Sequence, residues 1–307
     1  MSARLAVAAI LLLGWTPPAH ALPPETLDAV VSLWPTWPDH MPSEKPQGSG
    51  VVIRADGYLA TAAHVVDRAT AVAVHLADGR VLAGETIAVD RATDIAVLKV
   101  AAELPVLEAA PAPALGDPVC AVANPFGVGL SVSCGVVSAT GRTGMGFNPI
   151  EDFIQTDAAI NPGASGGALV DAEGRLVGMI SAIFTRDADS GIGINFAVSA
   201  AMLARVADDL IAHGRVVRGR PGLRVVPLDI ETRARHAGVR VAAVEPGGAA
   251  DSAGIAAGDI VTTIASRPVR NQADLLGAIH LHRPGDRIAV SLLRAGQRRD
   301  VTLVLAP

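Results

Sequence analysis

The chain of 307 residues is half hydrophobic, carries a formal charge of −5 and is only 3% aromatic, so Ala, Val, Leu and Ile must fill its core. Its length admits two or three compact units, and the mild negative charge argues against nucleic acid as the main partner. The 31 glycines and 21 prolines suit a turn-rich, strand-rich protein better than a helical bundle.

The N-terminus reads as an export signal. Arg4 gives a positive start, Leu5 to Trp15 is an apolar run shorter than the roughly 20 residues of a spanning helix, and Ala19-His20-Ala21 is an A-x-A cleavage pattern. Residues 1–21 are expected to be removed, leaving a periplasmic or secreted protein with no stable membrane span, in a compartment that permits disulfides. An uncleaved anchor helix is the alternative. Residues 22–47 are proline-rich and predict an N-terminal arm, with a short helix around Glu25–Ser32.

From Gly48 the pattern changes to short apolar runs separated by turns every 8 to 12 residues. "GSGVVIRADGYLATAAHVV" and "AVAVHLADGRVLAGETIAV" each hold two runs around an Asp-Gly turn, and "DIAVLKV", "VCAVAN", "SVSCGVVSAT", "FIQTDA", "GALVDAEGRLVGMISAIF" and "GINFAVS" follow. This predicts a mainly β unit over 48–214, long enough for two six-stranded barrels. Cys120 and Cys134 flank a turn centred near Gly127. They read either as a cross-strand disulfide or as two buried free thiols, since a one-residue register shift would part them. Ser199 to His213 switches to helical spacing, with Met202, Leu203, Val206, Leu210 and Ile211 on one face and Gly214 as C-cap. Residues 215–221 are basic and read as a linker. Residues 222–307 predict a second, α+β unit with a helix capped by Asn271 and a closing hairpin that turns at Arg294–Gln297.

Ser165 sits in Gly163-Ala164-Ser165-Gly166-Gly167, a loose G-x-S-x-G pattern. An α/β-hydrolase would need its Asp and His after the serine. Here the stronger partners lie upstream: His64 in "TAAHVV" and Asp94 in "DRATDIAVLKV". A serine hydroxyl needs a base within hydrogen-bond reach, an imidazole has a suitable pKa, and an aspartate can fix its tautomer. The glycines would let the amides of Gly163 and Ser165 face a developing oxyanion. Each residue alone has an ordinary structural reading as a turn serine, a core histidine or a strand-start cap; their order, each beside a strand, favours a nucleophilic triad.

These stretches, with "LGDPVCAVANPFG", "GVVSATGR" and "FIQTDAAINPGASGGALVDAEGRLVGMISA", resemble the HtrA/Deg family of serine proteases over residues 48–200, and a PDZ domain over about 220–305. The resemblance implies a chymotrypsin-like protease domain followed by one PDZ domain. It also implies a serine endopeptidase of protein quality control acting on unfolded or mislocalised polypeptides, with His64, Asp94 and Ser165 as triad and no cofactor or metal. Ile194, Asn195 and Phe196 would shape a modest apolar specificity pocket that favours Val or Ala. Arg142 would be a sensor-loop arginine, or simply a solvated charge. Arg220, Pro221, Gly222 and Leu223 would form the PDZ loop that captures C-terminal carboxylates, although Pro221 lacks one amide donor. Trp34 and Trp37 are expected either at a homotrimer contact or covering the barrel. The chain departs from the family at Ala164, where Asn is usual, and at Ser199, where Pro is usual; its short early loop argues against a large cage assembly. Two other readings are a non-catalytic, PDZ-mediated peptide-binding scaffold, which an intact triad disfavours, and an esterase, which the PDZ unit disfavours.

Overall fold

A computed structural model describes residues 21–38, 47–185 and 191–307; the export signal read at the N-terminus, Ala21 apart, lies outside the described residues. The chain runs α1 (Pro24–Asp28), β1 (Val30–Thr36), β2 (Gly48–Arg54), β3 (Tyr58–Ala62), α2 (Ala63–Val66), β4 (Ala71–His75), β5 (Val81–Asp90) and β6 (Ile95–Lys99). These six strands close into a barrel in the order β1-β2-β3-β6-β5-β4. A second closed barrel, ordered β10-β11-β12-β9-β8-β7, is built from β7 (Pro118–Ala123), β8 (Ser131–Arg142), β9 (Phe153–Thr156), β10 (Ala168–Val170), β11 (Leu176–Thr185) and β12 (Gly191–Ser199). Closure leaves neither sheet a free edge.

The stretch expected to be an arm is corrected in part. Its helix is only α1, and from Val30 the chain is already barrel wall. The prolines around Trp34 hid this strand, because proline cannot donate to a ladder. The register explains the tolerance: β2 pairs only Val30 to Leu33, whereas β4 alone pairs Pro35 and Thr36, so Pro35 has an open side. Trp34 stacks on His75 with ring centroids 4.5 Å apart, and the Trp37 indole N–H donates to Asp67 O, so both rings lie on the first barrel.

Helix α3 (Ala200–His213) packs against β5, β6 and β11 and so ties the barrels together. Met202, Leu203, Val206 and Leu210 are buried, each contributing about 1.5–3 kcal/mol relative to exposure. Ser199 caps the helix: its hydroxyl oxygen accepts the Met202 N–H and its O–H donates to Asp152 at 2.5 Å. That supplies a helix start without the family's proline. Gly214 closes it in the left-handed conformation.

The second unit is a sheet ordered β13-β14-β15-β17-β18, from β13 (Leu223–Pro227), β14 (Val239–Val244), β15 (Ile260–Ile264), β17 (Arg287–Arg294) and β18 (Gln297–Val304), with the two-residue β16 (Arg267–Pro268) beside β15. Helices α4 (Ile230–Arg233), α5 (Ala249–Ser252) and α6 (Gln272–His280) complete it, and Asn271 caps α6 as expected. This unit docks on the barrels through Arg267–Asp152, Thr143–Asp274 and Arg283–Asp209. The linker is pinned too, Arg218 pairing with Asp90 at 2.7 Å. His280 is enclosed at this junction, where burial first, and then the Arg218 charge, push its pKa down to about 4. No helix among the described residues is long and apolar enough to cross a membrane.

Candidate active site

The cleft between the barrels receives His64 and Asp94 from the first and Ser165 from the second. His64 is the second residue of α2, which follows β3 directly, and Asp94 ends the tight turn between β5 and β6 with a left-handed φ of 57°. A non-glycine residue pays a conformational penalty there, and the contacts account for it. Asp94 O accepts the Ala63 N–H at 3.0 Å, Oδ1 accepts the His64 backbone N–H at 2.9 Å, and Oδ2 lies 2.8 Å from His64 Nδ1. The imidazole is thus held by its ring and by its backbone. The hydrogen bond from Asp94 raises the His64 pKa above its ordinary value, with burial opposing. The ring remains open on one side, with 54% of the side chain exposed.

Ser165 lies in the loop before β10. Its hydroxyl donates to Ser181 O at 3.4 Å, and among the described residues no hydrogen bond joins it to His64. Ser181 in turn donates its own hydroxyl to Asp94 Oδ2 at 3.1 Å, which gives the carboxylate a third donor. Ser181 was not among the residues singled out in the sequence. The one signal for it is a serine in the otherwise apolar run "VGMISAIF".

The backbone around Ser165 has an uneven hydrogen-bond account. Pro162 O accepts from Phe126 N–H at 2.8 Å, Gly163 O from Ser49 Oγ at 2.9 Å, Ala164 O from Gly167 N–H at 2.9 Å and Ser165 O from Ser49 N–H at 2.8 Å. The amides of Ala164, Gly166 and Gly167 are also used, by Asn161 O, Ile180 O and Ala164 O. Among the described residues the N–H groups of Gly163 and Ser165 have no acceptor. Gly163 has φ 94°, and a side chain there would meet Asn124 O at 2.9 Å. At Gly166, φ 88°, a side chain would overlap Ser49 O and Thr61 Oγ1. Ala164 is buried in the apolar cluster of the second barrel with Ile160 and Ile180, so its methyl anchors the loop from beneath.

Asn195 is buried and donates to Ala158 O at 2.8 Å, while Phe196 packs in a ring cluster with Phe147 and Phe153. Strand alternation puts Ile194 and Phe196 on one face and Asn195 on the other, so the three do not line a single surface. Arg142 ends β8 and donates through Nε to Gln155 Oε1 at 3.1 Å. Cys120 and Cys134 stand directly opposite in β7 and β8 and are joined as a disulfide behind the Asn124–Ser131 hairpin tip. Arg220, Pro221, Gly222 and Leu223 line one groove of about 410 Å³ beside the edge strand β13.

Two six-stranded barrels with a His–Asp pair facing a serine in a glycine-rich loop, followed by a small peptide-groove unit, define the class of trypsin-like serine peptidases carrying a PDZ domain. The family models agree: a trypsin-like peptidase domain matches residues 48–179 and a PDZ domain matches 214–305. The periplasmic serine endoprotease DegP of Escherichia coli (strain K12) is 39% identical over 268 residues, covering 84% of this chain and 56% of DegP. The periplasmic pH-dependent serine endoprotease DegQ of the same organism is 36% identical over 282 residues, covering 87% and 62%. This chain therefore spans little more than half the length of the curated relatives it matches. Solved structures cover it more fully. The HtrA-type protease AlgW with tripeptide is 38% identical with a TM-score of 0.72, over 91% of this chain and 94% of that one. The serine endoprotease from Yersinia pestis is 34% identical with a TM-score of 0.62, over 95% and 98%. The chain belongs to the HtrA-type serine proteases.

Proposed function

We propose that this protein is an exported serine endopeptidase that cleaves unfolded or mislocalised polypeptides through an acyl-enzyme. The observation that carries this is the conjunction of a His64–Asp94 pair at 2.8 Å with a serine loop in which, among the described residues, the amides of Gly163 and of Ser165 itself have no acceptor. Rotation of the Ser165 side chain from Ser181 O toward His64 Nε2 readies the nucleophile. Ser165 Oγ then attacks the scissile carbonyl carbon while its proton passes to His64 Nε2, and the carbonyl oxygen becomes an oxyanion that accepts from Gly163 and Ser165 N–H. His64 next gives that proton to the departing amine nitrogen. In the second half it takes a proton from water, which attacks the ester, and returns one to Ser165. Asp94 keeps the tautomer and stabilises the imidazolium throughout.

The finer assignments rest on this reading. Ile194 and Phe196 shape a small apolar specificity pocket from one face of β12, with Asn195 bracing the strand from the other face, and Arg142 couples the loop after β8 to the active site. The Arg220–Leu223 loop and the β13 edge bind C-terminal peptides by strand addition. The exported location follows the periplasmic relatives and the N-terminal sequence. We assign a homotrimer as the working assembly.

Incubating purified protein with reduced casein tests the proposal. Wild type cleaves it and Ser165→Ala loses about 10⁴-fold or more of that rate. Because Asp94 raises the His64 pKa, wild-type activity falls as pH drops through a value above 6.5, where the base becomes protonated. Equal cleavage by the two proteins contradicts the triad.

A further inference from the structure

Every carbonyl from Pro162 to Ser165 is tied down, and two of the four ties come from one residue of the other barrel. Ser49 of β2 is fully buried, with 0% exposure. Its O–H donates to Gly163 O at 2.9 Å, while the same oxygen accepts Asn124 N–H at 3.0 Å. Its backbone N–H donates to Ser165 O at 2.8 Å, and its carbonyl accepts the Thr61 hydroxyl at 2.7 Å. Ser49 therefore grips the peptide planes 163–164 and 165–166. These flank the plane that carries the Ser165 amide, and the first adjoins the plane that carries the Gly163 amide. Each gripped plane is also held at its other edge, by Ala164 N–H on Asn161 O and by Gly166 N–H on Ile180 O. A peptide plane anchored at both edges cannot flip without breaking two hydrogen bonds and leaving their partners unsatisfied.

We propose that Ser49 is a positioning residue for the oxyanion hole: its hydroxyl fixes Gly163 so that the two free amides converge on one oxygen. This rests on the serine-peptidase reading above. Ser49 touches no reacting atom and acts only through Gly163 and Ser165. The chemistry suits a hydroxyl, because the position must donate to a carbonyl and accept an amide at once. Alanine would leave Gly163 O and Asn124 N–H without those partners. Misplacing a catalytic group by about 1 Å can cost on the order of 10²-fold, and losing an oxyanion donor outright costs about 10²–10³.

The test uses a chromogenic peptide with Val before the cut and a peptidyl boronic acid of the same sequence, whose tetrahedral adduct places an oxygen in the hole. Ser49→Ala is expected to lower kcat about 10- to 100-fold with KM within about twofold, and to weaken the boronate by a similar factor. Ser49→Thr keeps the hydroxyl and restores kcat to within about threefold of wild type. Ser32→Ala serves as the matched control. It removes the hydroxyl that accepts Asn124 Nδ2–H in the same inter-barrel seam, and leaves Gly163 and Ser165 untouched. Should Ser49→Ala fail to fold, Ser49→Cys, similar in shape but a weak donor, takes its place with the same expected loss. The inference is overturned if the Ser49 variant keeps wild-type kcat, if its loss lies in KM alone, or if Ser32→Ala loses as much. Cleavage by Ser165→Ala at the wild-type rate would instead overturn the underlying reading, so the two failures are distinguishable.

Discussion

Two loops in this molecule present backbone amides from stretches rich in glycine and proline, and they differ in how many amides are left over. In Asn161–Gly167 every carbonyl from Pro162 to Ser165 has a donor, and among the described residues three amides have no acceptor: Asn161 at the loop's start, and Gly163 and Ser165, the two needed for an oxyanion. In Arg220–Leu223 the supply is thinner. Arg220 N–H is spent on Ala306 O and Pro221 has none, so at most Gly222 and Leu223 can face a carboxylate. Three of the four donors that hold the first loop's carbonyls come from another barrel and another hairpin, at Ser49 and Phe126, while those on the second loop's carbonyls, Ala306, Ala250 and Glu245, come from its own unit. Both loops have their carbonyls satisfied, so the difference lies in the amides: a proline and a committed N–H leave the second loop fewer donors, whatever its glycine content.

Two substitutions sharpen this contrast. The larger effect is expected at Gly163→Ala, where a methyl must adopt φ 94° and approach Asn124 O at 2.9 Å. The turn shifts and kcat on the chromogenic peptide falls about 10²–10³-fold, the cost of an oxyanion donor, while affinity for a C-terminal peptide at the PDZ groove is unchanged. Fluorescence titration of a labelled peptide alongside the kinetics separates the two readouts. A smaller effect of opposite sign is expected at Pro221→Leu. It returns one amide donor to the groove, worth about 0.5–1.5 kcal/mol, so the labelled peptide binds roughly 2- to 10-fold more tightly. Unchanged affinity there would mean that the Pro221 position does not face the ligand carboxylate.

Much of the fold was legible because the period-2 runs, the Asp-Gly turns and the helical stripe of α3 agree with one another. The order His64, Asp94, Ser165 was enough to direct attention to one cleft. What the sequence did not reveal depends on register. β1 was hidden by Pro35, whose missing donor matters only if both neighbours pair there, and only β4 does. The Cys120–Cys134 choice turned on a single-residue offset that β7 and β8 resolve. Ser181 and Ser49 were invisible as functional residues because each is a lone serine in a strand. Their meaning comes from Asp94 and Gly163, which lie 87 and 114 positions away. Ala164 was the conspicuous departure in the nucleophile loop, and its role here is structural. Its methyl is buried in the second barrel's core and its backbone makes the two turn bonds that hold the loop.

The amides of Gly163 and Ser165, neither of which has an acceptor among the described residues, are assigned here as the oxyanion hole for chemistry at Ser165. A crystal structure of the protein with a peptidyl boronic acid tests this assignment most directly. Boron is expected bonded to Ser165 Oγ, with one boronate oxygen about 2.7–3.1 Å from both Gly163 N and Ser165 N and the serine turned away from Ser181 O. An adduct whose oxygen reaches neither amide, or boron bound at another residue, would contradict it.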